Sequence, residues 1–80
     1  MTDKIIMHEQ EHDQLEVLIG KLHEANIQVM KLANETANSN FGAEMDVMSG
    51  ELHELIKKTR DIGSKSEIMA YQEYRNRFLK

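Results

Sequence analysis

An 80-residue chain with no cysteine and only four aromatic side chains makes one small domain, and excludes disulfides and thiolate metal sites. Net charge −4 weighs against a general nucleic-acid binder, no apolar run is long enough to cross a bilayer, and the amino terminus turns acidic too early for a signal peptide. A cytoplasmic protein is therefore expected, with no membrane contact.

The charge is unevenly spread. Residues 1–56 carry eleven Asp or Glu and three Lys, whereas residues 57–80 carry seven Lys or Arg and three Asp or Glu. An antiparallel hairpin would set Glu9, Glu11, Asp13 and Glu16 beside Lys65, Arg75, Arg77 and Lys80.

Proline is absent and helix formers dominate, so the elements are defined by where helices stop. The stretch Asn38-Ser39-Asn40-Phe41-Gly42 reads as the first break. Gly63 as a C-cap, followed by a Ser64-x-x-Glu67 capping box, reads as the second. Three helices are predicted, over 3–37, 43–62 and 65–79, in an all-α hairpin whose second arm is broken.

In the first helix Leu15, Leu18, Leu22, Ala25, Val29 and Leu32 recur at spacings of three and four, with Ile19 and Ala33 widening the stripe. The second repeats the pattern through Phe41, Met45, Met48, Leu52, Leu55, Thr59 and Ile62, and the third adds Ile68, Tyr71, Phe78 and Leu79. These residues are the expected core. Asn26 and Thr59 are expected to fix register. At about 1.5 Å per residue the first helix could lie along the other two placed end to end. Ile27, Val17 and Met30 project away from the stripe, so two hairpins are expected to associate as a homodimer in a four-helix-like bundle.

Chemistry-bearing motifs cluster at the start of the first helix. His8-Glu9-Gln10-Glu11-His12 has the H-E-x-x-H spacing of zinc-metalloprotease helices, and Glu9-x-x-His12 has the spacing of di-iron carboxylate bundles. Glu11-His12-Asp13-Gln14-Leu15 resembles the E-H-x-x-L pattern of hemerythrin-type helices, although the later His pairs of that family have no counterpart here. The candidate ligands for a metal-binding bundle are His8, Glu9, His12, Glu16 and Glu67. His53, with Gly63 ten residues on, shares some spacing with phosphoacceptor histidines of helical phosphotransfer modules, but Ile56, Lys57 and Lys58 depart from their pattern.

Nothing pairs a nucleophile with a base or forms a phosphate-cradling glycine loop, so catalysis and a cofactor are not expected. The leading expectation is a non-enzymatic helical interaction module, a regulator, adaptor or export chaperone, whose partner-binding residues are Ile27, Met30, Tyr74 and Arg77. The alternatives are the metal-binding bundle and a nucleic-acid accessory using Lys57, Lys58, Arg60, Arg75 and Arg77.

Overall fold

Two 27-residue helices, α1 (Glu9–Glu35) and α2 (Ser39–Lys65), lie antiparallel along each other in a computed structural model that describes residues 5–79. The predicted start of the first helix at residue 3 lies outside those residues. The turn between the helices is built by side chains. Thr36 Oγ1 accepts from the Asn38 N–H at 3.0 Å, and Asn38 Oδ1 accepts from the N–H groups of Asn40 and Phe41 at 3.0 and 3.2 Å. Asn38 thus caps two of the donors that a helix start leaves unpaired. Asn40, Phe41 and Gly42, expected in the loop, form the first turn of α2 instead.

Buried and half-buried positions trace a strict three-four alternation along both helices. They are Leu15, Ile19, Leu22, Asn26, Val29 and Ala33 on α1, facing Met45, Ser49, Leu52, Ile56, Thr59 and Gly63 on α2. Small residues set the approach. A Cβ built on Gly63 would stand 3.3 Å from Leu15 Cδ2, and one on Gly42 would stand 3.3 Å from Thr36 Cγ2 and 3.7 Å from the Ala33 carbonyl oxygen. Midway, Ser49 Oγ donates to Asn26 Oδ1 at 2.8 Å, so Asn26 does bind across the seam, with Ser49 as its partner. Buried Thr59 satisfies its hydroxyl within α2 by donating to the Leu55 carbonyl at 2.7 Å.

This seam is rotated from the expected core. Leu15, Leu22, Val29, Met45, Leu52 and Thr59 are in it, but Leu18, Ala25, Leu32, Phe41, Met48, Leu55 and Ile62 are exposed. The reason is steric: the helices meet along the row Gly42, Ser49, Ile56 and Gly63, small at three of its four positions, and the side chains one position earlier are turned aside. Ile56, outside the predicted stripe, is the most buried apolar residue described.

The ends of the hairpin are joined by strands that the sequence reading did not include. β1 (Ile5–His8) pairs in parallel with β2 (Ser66–Met69), Ile5 opposite Ser66 and His8 opposite Met69, and buried Met7 faces inward. Parallel strands need a long crossover, and the α1–α2 hairpin is that crossover. The predicted second break is therefore misplaced. Gly63 continues α2, Ser64 Oγ donates to the Asp61 carbonyl, and Ser66 is the C-cap. A final helix, α3 (Tyr71–Phe78), contacts β1 rather than extending α2, and α1 runs along α2 alone. Ile68, Tyr71, Phe78 and Leu79, expected in the core, are all exposed.

Gly63 and Gly20 separate packing from propensity, because a Cβ at Gly20 meets nothing within 4 Å. Gly63→Leu should cost about 1–3 kcal/mol by overpacking, and Gly20→Ala should gain up to about 1 kcal/mol. Thermal melts followed by circular dichroism should move in opposite directions. Movement in the same direction would mean that Gly63 does not limit the helix approach.

Candidate functional site

Each side of the seam carries a flanking row from each helix. Antiparallel helices are related by a pseudo-two-fold axis normal to their common plane, so equivalent rows fall on the same side. One flank is polar. There Arg60 Nη2 donates to His23 Nε2 at 2.9 Å, and His23, His53, Ile56, Lys57 and Arg60 line a shallow pocket.

The opposite flank is apolar over its whole length. It carries Leu18, Ala25 and Leu32 from α1 and Phe41, Met48, Leu55 and Ile62 from α2, each set spaced by seven residues. The six large side chains among them retain between 38% and 46% of their accessible surface. Between Met48 and Leu55 the surface dips into a groove floored by Leu52 and edged by Glu51. This is contiguous exposed apolar surface on a chain whose described residues include no fully enclosed large side chain.

Comparison with protein-family models, with curated proteins and with solved structures finds no match. The geometry of the side chains is then what carries a functional reading.

The candidate metal ligands do not converge. Among the described residues no three His, Asp or Glu side chains are placed to share an ion. His8 precedes the helix, in extended backbone with φ −91° and ψ 171°, so His8 and His12 are not successive turns of one helix face. Instead His8 Nδ1 accepts from the Gln10 and Glu11 N–H groups at 3.1 and 3.3 Å, while Glu11 Oε1 accepts from His8 N–H at 3.1 Å. This is a reciprocal capping box with histidine in the place of Ser or Thr. His12 Nε2 lies 3.8 Å from Glu16 and its Nδ1 4.0 Å from Asp13, whereas exposed Glu9 begins α1 and Glu67 lies on β2.

The expected partner residues are likewise dispersed. Ile27 is on the outer surface of α1 and Met30 on the polar flank, roughly 30 Å along the helix from the strand end. Tyr74 is half-buried in an aromatic cluster there. Its ring meets that of His8 edge-on at 4.7 Å and lies 4.9 Å from Phe78, while Tyr71 contacts His8 at 5.1 Å. The Arg77 guanidinium stands 5.9 Å from the Phe78 ring centre. Lys65 pairs with Asp61 of its own helix at 2.8 Å, so this cation of the basic end has a local partner. Lys80 lies outside the described residues.

The apolar flank was visible in the sequence as part of the stripe. Its exposure was not, because that depends on Gly42, Ser49 and Gly63 drawing the seam aside.

His8 combines a cap with ring packing, and substitution separates them. His8→Asn should retain most of the cap and lose only the aromatic contacts, whereas His8→Ala should lose both, with the cap alone worth about 1 kcal/mol. Urea unfolding should rank wild type above His8→Asn above His8→Ala. Equal midpoints for the two variants would show that the cap contributes nothing.

Proposed function

We propose that this chain is a non-enzymatic helical interaction module, of the kind that serves as a regulator, adaptor or export chaperone, and that it acts by burying its apolar flank against another helical surface. One observation carries this reading: beside the seam, six large apolar side chains of the hairpin lie in a continuous exposed band. At about 0.8 kcal/mol per buried methylene, covering Leu18, Leu32, Phe41, Met48, Leu55 and Ile62 would supply several kcal/mol that the isolated hairpin lacks.

The shape of the molecule supports the same reading. Its radius of gyration is 17.5 Å, against about 12 Å for a compact domain of this length. Such a rod has a large surface for its small interior. Docking a second hairpin on the apolar flank would give a four-helix bundle in which each helix has neighbours on two sides. The homodimer is thus the simplest association that this surface serves.

Sedimentation equilibrium on wild type and on Met48→Glu/Leu55→Glu tests the face directly. Wild type is expected to be a dimer at micromolar concentration, and the double variant a monomer with unchanged helical circular dichroism. A double variant that remains a dimer would remove the face from the proposal. As a control, Ile27→Glu, on the outer surface of α1, should leave the mass unchanged.

A further inference from the structure

Charged residues flank the apolar row of α2 in a patterned order. On the edge away from the seam, four residues repeat every seven positions: Glu44, Glu51, Lys58 and Lys65, all exposed. Two acidic residues are followed by two basic ones, so the row is complementary to itself when reversed. Two copies of α2 packed antiparallel would place each acidic half against a basic half; packed parallel, they would place like against like.

We infer that the occupant of the apolar flank is a second copy of this chain, related by a two-fold axis perpendicular to the helices, with α2 antiparallel to α2 and Leu55 at the axis. This rests on the docking reading above and adds the partner, orientation and register. With Leu55 facing Leu55 of the second copy, Met48 lies opposite Ile62, Glu51 opposite Lys58, and Glu44 opposite Lys65. The neighbouring register, with Met48 opposite Leu55, sets Glu51 against Glu51 and leaves Lys65 without an acidic residue opposite. Charge therefore selects between two registers that apolar packing alone leaves similar.

The α1 side agrees with this placement. The seam puts Asn26 opposite Ser49 and Ala33 opposite Gly42, so Leu18 lies within two residues, about 3 Å, of the level of Leu55. Leu18 and Leu55 of both copies then form one central layer. The Lys65–Asp61 pair does not compete strongly, because both side chains are more than half exposed and a lysine has three donors.

The size also fits. The α2 row from Phe41 to Ile62 is about 32 Å long. Along that length each copy contributes the six large apolar side chains of its flank. The interface is isologous and closes at two copies.

The absence of cysteine makes the test clean. Leu55→Cys should form a disulfide-linked dimer rapidly under mild oxidation, whereas Val47→Cys, on the outer surface of α2, should cross-link at least tenfold more slowly. Lys58→Glu/Lys65→Glu and Glu44→Lys/Glu51→Lys should each weaken self-association at least tenfold at low salt, and an equimolar mixture should restore a dimer. A wild-type dimer with equal cross-linking at both positions and no recovery on mixing overturns the register while leaving the docking face standing. A wild-type chain that stays monomeric at millimolar concentration overturns the second copy as occupant.

Discussion

The close approach of α1 and α2 along a row of small residues is the constraint on which the rest of the molecule depends. Gly63 admits Leu15, Gly42 admits the Ala33 backbone and Thr36, and Ser49 is small enough to bind Asn26 across the seam. A helix pair chooses its rotation by where its surfaces can interlock, not by where its hydrophobic stripe is widest. Here the interlocking row lies beside the widest part of that stripe. The hairpin consequently packs Leu15, Ile19, Leu22, Met45, Leu52 and Ile56 into its seam and leaves Leu18, Leu32, Phe41, Met48, Leu55 and Ile62 facing outward.

The ends of the hairpin depend on that approach as well. A two-stranded parallel sheet of four residues per strand has little stability of its own. It forms because the hairpin brings residue 66 level with residue 5, and it closes the end opposite the Asn38 turn. Met7 buries beneath it, and the His8 ring seats Tyr71 and Tyr74 of a short helix that has no side-chain N-cap of its own. His8 thus links three elements, ending β1, capping α1 and holding α3. A local change there would loosen the end while the seam, through Ile56 and Val29, held.

How much of this was legible in the sequence follows from which signals were local. Helical periodicity over α1 and α2 and the turn near Asn38 could be read, because propensity and capping act over a few positions, whereas the Ser49–Asn26 bond across the seam could not. Gly63 could not be placed, since a glycine that ends a helix and one that admits a neighbouring side chain look the same in sequence. The Ser64-x-x-Glu67 pattern then strengthened the wrong choice. Strands of four residues carry almost no periodic signal, and Ile5-Ile6-Met7 becomes strand only by pairing with residues some sixty positions away. The H-E-x-x-H spacing failed for a related reason: His8 lies outside the helix that the motif presupposes. For the docking face, the residues were legible, but which half of their stripe would stay exposed was not.

The uneven charge first seen along the whole chain has a sharper form within α2. Apart from Asp61, its acidic residues (Glu44, Asp46, Glu51 and Glu54) all precede its basic ones (Lys57, Lys58, Arg60 and Lys65). Of these only Lys65, in the last turn, lies where the helix dipole acts on it, so the order as a whole owes little to the isolated helix. The same order makes the helix its own electrostatic complement in the antiparallel sense alone, since a parallel neighbour would meet like charge at every level. In the dimer proposed above, the apolar row would supply the free energy of contact, and the charged row its direction.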